Sequence, residues 1–69
     1  MAERLANRLK EKRGELGLTQ AELAEAVGVT RKTVNTVENG VFVPSALLAL
    51  KLARALCEPV ERLFWLSAE

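Results

Sequence analysis

The sequence predicts an all-α fold of five short helices in one domain, residues 1–69, and three observations carry that expectation. Apolar residues recur at helical spacing through most of the chain. Helix-start residues (Thr19, Thr30, Ser45) stand just before those runs, and the stop signals Gly28 and Asn39-Gly40 follow two of them. The composition, 49% apolar and rich in Ala, Leu, Glu and Arg, is that of a globular helical protein.

In chain order, Ala2 to about Arg13 is expected as the first helix, with Leu5, Leu9 and Leu16 on its inner side and Gly14 and Gly17 loosening its end. Thr19 followed by Glu22 has the spacing of a capping box, so a second helix is expected from Gln20 with Leu23, Ala24 and Val27 turned inward. Gly28 can end it in the left-handed conformation at no steric cost. Thr30 then caps a third helix, reaching Asn39, whose inner stripe is Val34 and Val37. Val41, Phe42 and Val43 form an apolar loop closed by Pro44, with Phe42 expected against the core rather than at a subunit contact.

Ser45 caps a fourth helix, Ala46 to about Leu56. Its inner stripe is expected to be Leu47, Leu50, Ala53 and Leu56, flanked by Leu48 and Leu52. Cys57 is read as a buried small apolar side chain rather than a reactive thiol. A short fifth helix, Pro59 to about Leu63, is expected with Glu58 as its cap. Leu63 and Phe64 can close the core, while Trp65 and Leu66 have no obvious home, and a large aromatic at a chain end is a typical interface anchor. Residues 64–69 are therefore read as a dimerisation tail, with Phe64, Trp65 and Leu66 meeting a twofold partner by helix packing or by pairing of short C-terminal strands.

Composition also excludes function classes. The chain has one cysteine and no histidine, so hydrolytic triads, histidine acid–base chemistry and an intramolecular disulfide are out, and no zinc site is expected. Neither a cofactor nor a small-molecule ligand is implied, and no catalytic residues emerge. No apolar run approaches the roughly 18 residues that span a membrane, and the start MAERLANRLKEKR is not a signal peptide. A cytoplasmic location is the default expectation. The net charge of +1 is modest, so its distribution matters more: Arg4, Arg8, Lys10, Lys12 and Arg13 crowd residues 4–13 against Glu11 alone. Arg8 and Lys12, one helical turn apart, are expected to approach one phosphate strand together, whereas a solvated face accounts equally well for Arg4 and Lys10.

The third helix is the informative one. Arg31, Lys32, Thr33, Asn35 and Thr36 put hydrogen-bonding side chains on its outer face, and before Glu38 it carries no acid. Arg, Lys and Asn suit the edges of bases, and Thr adds a hydroxyl and a methyl. A cation in the first turn opposes the helix dipole, a cost that a phosphate or base acceptor offsets. Such a helix fits the major groove of double-stranded DNA.

The stretch LGLTQAELAEAVGVTRKTVNTVENG, followed by VPSALLALKLARAL and VERLF, resembles the Cro/C1-type helix-turn-helix regulators, the xenobiotic-response-element family, from about Leu5 to Phe64. The resemblance implies a lambda-repressor-like DNA-binding domain acting as a transcriptional regulator, a homodimer on a palindromic operator. It places Arg31, Lys32 and Thr36 at base-reading positions, with Thr33 and Asn35 beside them. Gln20, Thr19, Thr30 and Asn39 fall at phosphate-gripping helix ends. It further implies an ion pair between Arg13 and Glu38, and a glycine where this chain has Cys57. A polar residue common in the family after the Gly40 position is lacking here. The other reading left open is a protein-interaction module or antitoxin-like subunit on the same fold, favoured by the weak net charge and the apolar 41–43 loop.

Overall fold

The computed structural model describes residues 3–68. Its elements run β1 (Glu3–Asn7), α1 (Leu9–Glu15), α2 (Gln20–Val27), α3 (Arg31–Glu38), α4 (Ala46–Ala55), α5 (Val60–Leu63) and β2 (Phe64–Ala68). The five helices are present, but the fold is not all-α. β1 and β2 pair antiparallel, from Glu3 opposite Ala68 to Asn7 opposite Phe64, and tie the two ends of the chain together. Among the described residues no helix is long and apolar enough to cross a membrane.

The strand replaces the first half of the expected first helix; Ala2, its expected start, lies outside the described residues. Asn7 accounts for the switch. Its side-chain oxygen accepts a hydrogen bond from the Leu9 N–H at 3.0 Å, which offers the backbone a local alternative to continuing the helix backwards. Residues upstream then find backbone partners in 64–68, and Leu5 faces Leu66 across the ladder. With α1 confined to Leu9–Glu15, Leu16 stands at its C-cap and is 49% exposed, not inward as expected.

The core gathers Leu9 from α1, Leu23, Ala24 and Val27 from α2, Val34 and Val37 from α3, and Leu52, Ala53 and Leu56 from α4 and its C-cap. Leu63 and Phe64 close it from the α5–β2 junction. Burying a leucine side chain is worth about 1.5–3 kcal/mol, and Leu9, Leu23 and Leu63 are each wholly buried. The stripe of α4 is rotated from its expected phase: Leu48, Leu52 and Leu56 turn inward on one i, i+4 row, whereas Leu47 and Leu50 are 65% and 57% exposed. Leucines on every side of that helix make its periodicity ambiguous.

Three further expectations are corrected. Cys57 is exposed rather than buried. It takes a left-handed backbone (φ 56°) while its N–H bonds the Arg54 carbonyl at 3.2 Å and the Glu58 N–H bonds that of Ala53 at 3.0 Å. This is the closure that ends α2 at Gly28 (φ 77°), where glycine pays no Cβ penalty. Glu58 makes no cap for α5, which begins after Pro59 without a side-chain cap; its carboxylate instead meets Lys12 at 2.7 Å. Phe42 is 48% exposed, between Val41 at 77% and Val43 at 67%. The backbone N–H groups of Val41 and Phe42 both donate to the Thr36 carbonyl, at 2.9 and 3.1 Å, so the loop backbone turns toward α3 and its side chains remain outside the core.

Candidate nucleic-acid interface

The pair α2–α3 is built from local signals. The Thr19 hydroxyl accepts the Glu22 N–H at 3.0 Å while the Thr19 N–H donates to the Glu22 carboxylate at 2.8 Å, which satisfies two free donors of α2 reciprocally. After the turn at Gly28, the Thr30 hydroxyl accepts the Thr33 N–H at 3.2 Å and starts α3. Val34 and Val37 fix the helix by its inner face, at 1% and 2% exposure.

The outer face then follows. Arg31, Lys32 and Asn35 are exposed, Thr33 and Thr36 half-buried, and no acid lies in the first turn. The Thr36 hydroxyl donates to the Thr33 carbonyl at 2.9 Å, which leaves its oxygen as an acceptor and its methyl as an apolar contact. Asn39 donates to the Asn35 side-chain oxygen at 3.2 Å, so the Asn35 amide N–H groups are the part of that side chain left to read an acceptor.

The C-terminal end of α3 is held by charge. The Arg13 guanidinium donates to the Glu38 carboxylate through Nε at 2.7 Å and Nη2 at 3.3 Å, and to the Leu18 carbonyl through Nη1 at 2.9 Å. The Glu38 side chain is 3% exposed and that of Arg13 15%. Bonding to the carboxylate, the larger effect, raises the Arg13 pKa above its already high ordinary value despite burial. Gln20 Nε2 donates to the same carboxylate at 3.0 Å, so the α2 start, α1 and the end of α3 converge on Glu38.

The basic run of residues 4–13 does not gather as one free surface. Arg13 is spent on Glu38. The Lys12 ammonium is held by Glu58 at 2.7 Å and Glu15 at 2.9 Å, bonds that raise its pKa, that to Glu58 most. Lys12 is thus already paired with two carboxylates, one of them the half-exposed Glu15. Arg8 is exposed, with its guanidinium carbon 4.9 Å from the Trp65 ring centroid, a cation–π stack. Of the three residues expected at a dimer face, Phe64 is 8% exposed in the core, whereas Trp65 and Leu66 are 38% and 66% exposed. The alternation of β2 accounts for the division between Phe64 and Trp65, and Leu66 lies beyond the edge of the core.

The Lys12 bond lowers the Glu58 pKa. A carboxylate with a lowered native pKa contributes stability above its unfolded value of about 4.3, and that contribution fades as pH falls through the native value. Thermal melts of the parent and Glu58→Gln from pH 7 down to pH 2 are expected to converge at the acid end; curves that keep a constant separation contradict the pair.

Sequence reasoning missed Asn7, whose amide Nδ2 donates to the Val37 carbonyl at 3.0 Å. The available signal was an Asn two residues ahead of a buried leucine, a helix-start signature obscured by the apparent helix across it.

Two helices joined by a tight left-handed turn, the second with its polar face outward, define a helix-turn-helix protein. The chain belongs to the Cro/C1-type helix-turn-helix family of transcriptional regulators, whose helix-turn-helix model matches residues 9–62. It is 48% identical over 65 residues, 94% of this chain and 98% of the relative, to the uncharacterised HTH-type transcriptional regulator YgzD of Bacillus subtilis. Among solved structures it resembles the restriction-modification controller protein C.AhdI from Aeromonas hydrophila, with a TM-score of 0.75 and 39% identity over 78% of this chain and 82% of that one. It also resembles the P22 c2 repressor in complex with a synthetic operator, with a TM-score of 0.76 and 28% identity at the same coverage. Antitoxin HigA-1 of Vibrio cholerae is 46% identical over 54 residues, 78% of this chain and 49% of that protein.

Proposed function

We propose that the protein binds double-stranded DNA in a sequence-specific manner and regulates transcription, as a homodimer on a palindromic operator. The observation that carries this reading is the outer face of α3, where Arg31, Lys32 and Asn35 stand exposed and no acid lies in the first turn. Arg31, Lys32 and Thr36 read bases in the major groove, with Thr33 and Asn35 beside them. Thr19 and Gln20 at the α2 start, Thr30 at the α3 start and Asn39 at the α3 C-cap meet phosphates, with Arg8 from the α1 start. The operator complex of the P22 c2 repressor supports the mode of docking.

A second copy meets the chain through the exposed apolar residues Val41, Phe42 and Val43 together with Trp65 and Leu66. Two copies place half-sites about 34 Å apart, or a multiple of that. Selection of bound duplexes from random DNA tests both halves of the reading: a motif repeated with inverted symmetry at one helical turn is expected, and no enrichment above input would reject it. Arg31→Ala is expected to weaken binding to the selected site by about 1–3 kcal/mol and to relax preference at one base pair. Equal affinity of variant and parent for that site would refute the groove assignment.

The likeness to antitoxin HigA-1 favours a second reading, a subunit that covers its apolar face with a different protein. Gel shift at increasing salt separates the two, because affinity carried by phosphate contacts falls steeply with ionic strength.

A further inference from the structure

Apolar packing alone leaves one motion of α3 weakly determined. Val34 and Val37 bury its inner face, chiefly against α2, and apolar contact is non-directional, so it resists separation better than it resists a pivot. Among the described residues, the directional ties from other elements all reach the C-terminal end of α3, at Val37 and Glu38. The ties to Glu38 run through a carboxylate on rotatable bonds. The loop that follows α3 bonds its backbone only from residues contiguous with it, Gly40, Val41 and Phe42, whereas Asn7 grips that backbone from thirty residues away.

We propose that Asn7 is a positioning residue for α3, fixing the axis of that helix and thereby the place of Arg31 and Lys32 in the groove. Its carboxamide is held at both ends: the oxygen takes the Leu9 N–H at 3.0 Å, which leaves the amide nitrogen aimed at the Val37 carbonyl, also at 3.0 Å. Its backbone is the last rung of β1, opposite Phe64, and Phe64 is buried in the core. The anchor therefore cannot shift without the sheet. α3 has 8 residues, about 12 Å at 1.5 Å per residue, so a pivot of about 10° about its far end moves Arg31 by about 2 Å. A binding constellation tolerates only about 0.5 Å.

This inference rests on the DNA-binding reading for its consequence but not for its geometry, and the test separates the two. Asn7→Asp retains the acceptor for the Leu9 N–H and so keeps the α1 start, but turns a carboxylate oxygen toward the Val37 carbonyl. Asn7→Ser retains a hydroxyl acceptor without added charge and is too short to reach α3. Residual dipolar couplings of the free protein are expected to show α3 reoriented relative to α2 and α4 in both variants, with α2 and α4 unchanged relative to each other. Affinity for the selected DNA is expected to fall about tenfold in Asn7→Ser while affinity for scrambled DNA stays the same; a residue that only stabilises the fold would lower the melting temperature and leave that ratio untouched. An unchanged α3 frame in both variants overturns the positioning role, as does an unchanged affinity ratio. A parent without sequence preference rejects the DNA-binding reading and with it the consequence for Arg31, while the couplings still decide whether Asn7 sets the helix axis.

Discussion

Replacing Glu38 with alanine is expected to cost about 3–5 kcal/mol, the loss typical of a buried ion pair stripped of one partner. The large value comes from what remains. Without Glu38, the Arg13 guanidinium keeps its bond to the Leu18 carbonyl but loses both bonds to the carboxylate, and Gln20 loses its acceptor. The stranded charge has a side chain only 15% exposed, so water restores little of its solvation. Glu25→Ala, on the exposed face of α2, is the control and should stay within about 0.5 kcal/mol of the parent. A domain of this size has a total stability of only about 3–10 kcal/mol, so denaturant titrations are best run in a stabilising osmolyte, which strengthens the folded state without altering its contacts. A cost below about 1 kcal/mol for Glu38→Ala would contradict the reading of Glu38 as the junction of α1, α2 and α3.

How much of this was legible in the sequence depended on how far apart the interacting residues lie. The α2–turn–α3 unit was readable because each of its signals acts within five residues: the Thr19–Glu22 box, the left-handed Gly28, and the Thr30 cap. The terminal sheet was not, because the pairing of Glu3 with Ala68 depends on contacts spanning the whole chain, and the leucines at 5 and 9 fit a helix on spacing alone. The Arg13–Glu38 pair also bridges distant segments, and it was anticipated through family resemblance rather than spacing. On the outer side of α3, residue types were informative because an exposed helix face is close to a direct copy of its sequence. The pairing within the basic run of residues 4–13 was not legible, because which cations already have partners is a tertiary matter: Glu58, more than forty residues on, is what occupies Lys12.

The phase of α4 provides the second large effect, since two leucines one half-turn apart must behave oppositely. Leu52 is 1% exposed and sits in the core, whereas Leu50 is 57% exposed. Leu52→Ala should therefore lose the transfer free energy of the deleted groups and leave a cavity in the core, a cost of about 2.7–5 kcal/mol. Leu50→Ala removes no buried contact and swaps one good helix former for a better one, so a change within about 0.5 kcal/mol is expected. The comparison is strict because residue type, helix and substitution are the same. It is best made at low protein concentration, where association of copies through exposed apolar residues does not add to the apparent stability. Comparable costs for the two variants, or a larger one for Leu50→Ala, would return α4 to the phase that its sequence first suggests and remove Leu52 from the core.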